Sequence, residues 1–414
     1  MRARVLVATV AVIAATIGMA ACSSSKKSDT SSNNGASASS TGGGGGTIKI
    51  GVLTDLTGSA SSGFITTEKG IKAYADAVNK AGGINGQKIE YVMGDTASTP
   101  AGALTAAQKM VQQDKVFAIV EVSALFYGAQ NFLLKEGVPV VGGGFDSLLW
   151  TDPKNTNLFD AVGVTNYADV PLAEGQFFKS QGVTKTAAIG YESSSSSVAS
   201  VKAFNQSATL AGITPVYTQN VPFGSTDMGA IAIQIKNAGA DGLFYSTVPN
   251  TAFAANAALK QLGVNLKVAS LPTGYGGDLL QSSAAVSAAQ GDFFSTVGLP
   301  AEANTPATQK RAANLAAVGV TGPPTFAEQE AYLAMAGFAA GLTATGPNPS
   351  REKYSSTLRA INNFDAEGLL APLKVDFANY RPSTVCSNYV QLEGTTFKTV
   401  KGSPFCAGVV PLKG

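Results

Sequence analysis

The sequence predicts an α/β protein made of two doubly wound parallel-sheet lobes joined by a three-segment hinge. Three observations carry this. Short apolar strands alternate with helical stretches, the alternation occurs twice over, and the segments left at the end come too late to found a third unit.

The first copy opens with "IKIGVL" at Ile48 to Leu53, short and apolar as a buried parallel strand must be. "FITTEKGIKAYADAVNKAGG" follows and puts Ile71, Ala75 and Val78 on one helical face. Gly82 and Gly83 stop that helix, and Asn85-Gly86 turns the chain into "KIEYVMGD". A helix from about Pro100 to Gln113, the strand "VFAIVE" at Val116 to Glu121, a further helix and "VPVVG" complete a βαβαβαβ run. The second copy reads "TAAIGY" at Thr186 to Tyr191, a helix near Val198 to Leu210, "ITPVYT", a helix near Met228 to Asn237, "DGLFYS" at Asp241 to Ser246, a helix near Ala252 to Leu262, and "LKVASL". What remains is "GDFFSTV", helices near Pro306 to Ala317, Glu328 to Ala344 and Glu352 to Ile361, then "LLAPLKVDF" and a β-rich end. The expected division is 47–164 plus 292–374 for lobe one and 165–291 plus 375–414 for lobe two, with crossings near 164, 292 and 375.

Ahead of the first strand, Arg2 and Arg4 precede an uncharged, largely apolar run from Val5 to Ala21, the layout of a secretory signal over residues 1–21. The run is marginal for spanning a bilayer core of about 30 Å, so it reads as a segment that is removed. "MAAC" at Met19 to Cys22 resembles a bacterial lipobox, in which cleavage precedes a cysteine whose sulfur carries diacylglycerol. That resemblance implies lipidation of Cys22 and an extracytoplasmic protein anchored to the cell membrane. Residues 23–46 hold no Val, Leu, Ile or aromatic side chain and cannot bury enough surface to order themselves. As a Gly/Ser tether they would span roughly 27 Å end to end.

Composition excludes several function classes. Without Arg2 and Arg4, 27 basic residues face 27 acidic ones, and no basic tract interleaved with aromatics exists for nucleic acid. The chain contains no histidine, which removes the Ser/His/Asp arrangement and imidazole metal sites together. No cofactor or metal is expected, and no enzymatic activity; catalysis through carboxylates alone is the remaining enzymatic alternative. With Cys22 assigned to lipid, Cys386 and Cys406 are expected to pair as a disulfide in an oxidising compartment.

In doubly wound sheets of the common order, ligands sit beyond the carboxyl ends of the strands, at the switch point between the first and third. That rule selects "TDLTGSASSGF", "VSALF" and "GGGFDS" in lobe one, and "ESSSSS", "STVPN" and "PTGYGG" in lobe two. Gly58 and Gly63 have the spacing of a phosphate-binding P-loop, but Phe64 and Ile65 stand where Lys and Ser or Thr are required, so nucleotide binding is rejected. Ser123 sits at an N-cap position, which would turn the amides of Ala124 and Leu125 toward a ligand carboxylate, while Gly142, Gly143 and Gly144 expose backbone nearby. The bland alternative is that Ser123 caps only its own helix and the glycines only turn the chain. Ser195 and Ser196 can offer hydroxyls. Phe64, Tyr127, Phe145, Tyr191 and Tyr275 can form walls, and Trp150 reads as core or lobe contact.

Six stretches, "IKIGVLTDLTGSASSG", "KGIKAYADAVNKAGGINGQKIEYVMGDTASTPAGALTAAQKMV", "FAIVEVSA", "EGVPVVG", "AAIGYESS" and "QEAYLAMAGFAAGL", occur in this order. Together they resemble the solute-binding proteins of the leucine/isoleucine/valine-binding type, with the periplasmic binding protein type I fold. The resemblance implies capture of a small carboxylate-bearing metabolite (amino acid, amide or aromatic acid) by hinge closure, and delivery to the permease of an ABC transporter. A ligand-sensing lipoprotein that signals to a membrane receptor is the alternative, and a monomer is expected. In that family three lobe-one loops hold a carboxylate, and the matching positions are Ser62, Gly63, Ser123, Ala124 and Gly143 to Phe145, Gly144 included. Lobe two supplies an aromatic and an acidic residue for an ammonium, and the matching places are Asn166, Tyr167, Ser196, Thr247 and Thr273. None of these five is acidic, which leaves Glu192 or Asp278 as substitutes.

Overall fold

A computed structural model describes residues 46–162, 166–296, 298–379 and 381–413. The signal-like run, Cys22, the tract up to residue 45 and the crossing expected near 164 lie outside them.

The first sheet holds β1 (Thr47–Thr54), β2 (Lys88–Asp95), β3 (Ile119–Val122), β4 (Val140–Gly142) and β5 (Leu158–Asp160), all parallel, in the order β2-β1-β3-β4-β5. Ile50, Val52, Val120 and Val140 are fully buried, as central strands covered on both faces require. The helices between are α1 (Ser61–Phe64), α2 (Thr67–Lys80), α3 (Pro100–Gln112) and α4 (Gln130–Lys135). Thr99 starts α3, its hydroxyl accepting from the Gly102 amide at 3.0 Å with Pro100 in the first turn.

The second sheet repeats the order with β7 (Lys185–Tyr191), β8 (Thr214–Val221), β9 (Gly242–Tyr245), β10 (Val268–Leu271) and β11 (Phe293–Thr296) in the sequence β8-β7-β9-β10-β11. Three antiparallel strands extend it: β12 (Thr384–Glu393), β14 (Phe405–Pro411) and β6 (Asp169–Pro171), while β13 (Thr396–Thr399) hairpins onto β12. Its helices are α5 (Leu172–Ser180), α6 (Ser195–Leu210), α7 (Gly229–Ala238), α8 (Pro249–Gln261) and α9 (Ser283–Ala288). Cys386 and Cys406 sit directly opposite each other on β12 and β14 and are joined as a disulfide.

The late helices α10 (Pro306–Ala316), α11 (Phe326–Thr345) and α12 (Arg351–Arg359) return to the first sheet, where α11 packs on α2, β3 and β4. A reciprocal capping box starts α11: the Glu328 amide donates to Thr325 Oγ1 at 3.1 Å and the Thr325 amide to Glu328 Oε2 at 2.9 Å. Gly70 lets α2 approach α11 closely, since a Cβ there would lie 2.4 Å from the Glu328 carbonyl oxygen.

Two expected borders fall elsewhere. β11 pairs with β10, so the strand after residue 292 stays with the second sheet. Val375 bridges to Phe364, and the Phe377 ring packs against Phe364 at 5.3 Å and Phe159 at 6.1 Å, so this stretch belongs with the first sheet. Both segments follow their apolar contacts. No helix among the described residues is long and apolar enough to cross a membrane.

Candidate functional site

A cavity of about 280 Å³ opens where the carboxyl ends of strands from both sheets face each other. Its first-lobe wall is Phe64 from α1, Ala124 after β3, Gly143, Phe145 and Asp146 after β4, and Phe326 and Glu330 from α11. The second lobe and the crossing segments add Tyr167, Tyr191, Ser194, Ser196, Phe223, Thr247, Thr273 and Asn388, among others. The lobes also touch at the rim. The Gly277 amide donates to the Pro323 carbonyl at 2.8 Å, and a Cβ on Gly63 would stand 3.4 Å from Pro249 Cδ.

Three rings form the apolar floor: Phe64 stacks on Phe145 at 6.0 Å, and Phe326 meets both edge-on at 5.9 and 5.6 Å. Tyr167 donates to the Phe145 carbonyl, tying a crossing segment to a first-lobe loop. Tyr191 is held from behind, its hydroxyl bonded to Thr251 Oγ1 at 2.8 Å and accepting the Val248 amide at 3.1 Å. Ser194 caps α6 by accepting the Ser197 amide at 3.2 Å and pairs with Ser196 Oγ at 3.0 Å. Thr273 Oγ1 donates to the Thr247 carbonyl at 3.0 Å, while Thr247 Oγ1 is buried without a hydrogen-bond partner.

Of the residues singled out from sequence, the wall brings together Phe64, Ala124, Gly143, Phe145, Tyr167, Tyr191, Ser196, Thr247 and Thr273, with Asn166 beside them. Ser62 and Ser195 are exposed, and Gly63 is a rim residue. Leu125 is packed in the core. Gly144 lies behind the wall, at positive φ, with Asp160 Oδ2 2.6 Å from where its Cβ would be. The Tyr275 hydroxyl points away, donating to Glu302 at 2.6 Å and accepting the Ala301 amide at 3.1 Å.

Ser123 requires the largest revision. It caps no α-helix, because a 3-10 turn at Phe126–Gly128 precedes α4. Its hydroxyl donates to Asp55 Oδ1 at 2.6 Å, and the Ala124 amide donates to Asp55 Oδ2 at 2.8 Å. The Leu125 amide turns back onto Ser123 Oγ at 2.9 Å. Of the donors expected to receive a ligand carboxylate, the Ser123 hydroxyl and the Ala124 amide are therefore engaged by a carboxyl group of the protein itself, and the Leu125 amide by Ser123.

The acids at the wall are also unexpected. Glu192 is exposed and Asp278 lies outside the wall, whereas Asp146, Glu330, Asp169 and Glu174 line it. Arg381 clamps Asp169 through two nitrogens, at 2.8 and 3.1 Å. Burial raises Glu174 to about 7. Glu330 is almost fully buried and Oε2 has no hydrogen-bond partner; burial, then repulsion from Asp160 and Asp146, drives its carboxyl well above the ordinary range. Asp146 accepts the Trp150 indole N–H at 2.8 Å while its other oxygen is buried without a partner, and burial raises its carboxyl to about 8. For Glu330 alone the sequence holds a signal, in α11: a helix apolar on every side from Ala331 to Leu342 is buried all round, and so is an acid in its first turns.

The pattern of the Periplasmic binding protein family matches residues 47–396. The chain belongs to that family. Its members bind substrates for transport and are not enzymes, and membership places the folded body outside the cytoplasm. A Leu/Ile/Val-binding protein homologue of Brucella melitensis is 25% identical over 48% of this chain and 54% of its own length. The chain spans about half the length of the curated relatives it matches. Among solved structures, an ABC-transporter solute-binding protein of R. palustris in complex with benzoate superposes with a TM-score of 0.73 at 18% identity, covering 88% of this chain and 98% of that one. A branched-chain amino acid ABC-transporter protein of Thermus thermophilus with bound valine gives 0.71 at 16% identity, over 86% and 96%. At these identities the likeness establishes the fold, two doubly wound lobes of periplasmic binding protein type I.

Proposed function

We propose that this periplasmic binding protein captures a small organic ligand with an apolar body in the cavity between its lobes, and hands it to the permease of an ABC transporter. One observation supports this above the others. The cavity is walled from both sides and carries a buried polar atom without a partner on each wall, Glu330 Oε2 from the first lobe and Thr247 Oγ1 from the second. An unpaired polar atom away from water is costly, and a ligand that bonds both atoms only when the lobes are shut lowers the free energy of the shut state. The rim contacts Gly277–Pro323 and Gly63–Pro249 belong to that state. In this reading Cys22 carries the lipid, the Ser/Gly tract is the tether, and the protein acts as a monomer.

A thermal-shift screen over amino acids, short amides, amines and aromatic acids tests the reading, because a ligand bound to the native state alone raises the melting temperature. Small-angle scattering on a hit should show a smaller radius of gyration at saturation. An unchanged radius with every hit contradicts closure.

A further inference from the structure

We infer that the first-lobe wall of the cavity is a seat for an organic cation, an N–H-bearing ammonium or amidinium, held by Glu330 beside Asp146 under the Phe64, Phe145 and Phe326 rings. This rests on the capture reading and reverses the polarity expected from the family resemblance, in which the first lobe takes a carboxylate.

Three independent features lead there. Successive glycines at and after the end of β4 each face a different carboxylate: a Cβ on Gly142 would lie 2.6 Å from Glu121 Oε2, on Gly143 2.4 Å from Glu330 Oε2, and on Gly144 2.6 Å from Asp160 Oδ2. The loop is thus built around acids, and side chains there would displace them. No Lys or Arg lines the cavity among the described residues, and the charged groups acting on Glu330 are two further carboxylates. Finally, the hydroxyl and amide donors of Ser123 and Ala124 already serve Asp55. Glu330 lines the cavity and its buried Oε2 has nothing to accept from; an ammonium N–H supplies a donor, and its charge balances the carboxylate left when the carboxyl gives up its proton. The surrounding aromatic faces favour the same charge. Among the described residues no group of three side chains is arranged to hold a metal ion, so the cation is organic.

Binding exchanges a proton for the ligand. Without the cation, burial and the facing carboxylates Asp160 on β5 and Asp146 after β4 favour the protonated form of Glu330, with Glu121, Asp55, Tyr127 and Tyr167 around Asp146. When the cation seats, the carboxyl ionises and the proton leaves to water. Affinity for a cation therefore rises with pH until the ligand-free carboxyl is itself ionised.

The test uses the full chain and three probes with one body: 2-phenylethylamine, 2-phenylethanol and phenylacetate. Calorimetry is expected to show the amine binding most tightly, with net proton release read from buffers of different ionisation heat, and affinity rising with pH. Glu330→Gln is expected to weaken the amine at least roughly thirtyfold and to leave the alcohol unchanged. Tightest binding of phenylacetate, proton uptake with the amine, or an unaltered amine affinity in Glu330→Gln each overturns the cation seat while leaving capture intact. Silence from all three probes also overturns it, and the capture reading is then decided by the wider screen. If the variant does not fold, the proton count on the unmodified protein still decides.

Discussion

Ser123 Oγ donates a 2.6 Å hydrogen bond to Asp55 Oδ1, and both side chains are completely shielded from solvent. The same carboxyl also takes the Thr96 hydroxyl and the Ala124 amide, so one acid holds the ends of β1, β2 and β3 in register.

Asp55→Ala strands those three donors in a dry site. The variant should lose roughly 3 kcal/mol of unfolding free energy in urea titrations. Added acetate, which can enter the vacated position, is expected to recover part of the loss. A full-strength Asp55→Ala would show that this acid carries no structural weight.

Asp292 sets a pH dependence. Burial, opposed by nearby Lys260 and the Asn256 side-chain amide, raises its carboxyl to about 8, against an unfolded value of about 3.9. A raised folded value means that the folded state holds a proton the unfolded chain has lost. The contribution is complete below about pH 4 and fades as pH climbs through about 8. Melting temperature should decline by several degrees between these limits, and Asp292→Asn should flatten the slope.

The Cys386–Cys406 bond closes a loop at a sequence separation of 20 residues. Reduction, or replacement of both by Ser, should cost roughly 3 kcal/mol on the chain-entropy account. Because Cys386 lines the cavity, ligand affinity should drop in the same variant. Calorimetry with and without reductant measures both.

Gly63 stands where α1 of the first lobe meets Pro249 and Val248 of the second. Gly63→Trp wedges that rim apart. Affinity should fall at least about tenfold, about 1.4 kcal/mol. Stability without ligand should remain, and scattering should show a radius that ligand no longer reduces. Normal compaction in this variant would place the moving contact elsewhere.

Sheet order could be read from the sequence because parallel strands buried on both faces leave short apolar runs such as "IKIGVL" and "TAAIGY". β5 escaped detection: three residues, Leu158–Asp160, give no periodicity to read. The wall aromatics Phe64, Phe145 and Tyr191 lie in or beside loops that topology names, whereas Tyr167 was offered by the family resemblance alone, and Tyr127 and Tyr275 from the same loops do not line the cavity. The acids were not legible. Glu330 looks like a solvated helix residue until α11 is seen covered on all sides, and the engagement of Ser123 by Asp55 joins residues whose pairing no local pattern announces.

The return of α10, α11 and α12 to the first sheet has a consequence for how the chain is made. β1 to β4 leave the ribosome early, but the helix that seals β3 and β4 is translated only after every strand up to β11. Until then the nascent first half carries an uncovered greasy surface, and only the last quarter of synthesis closes it. The molecule thus matures almost all at once, near the end of its translation.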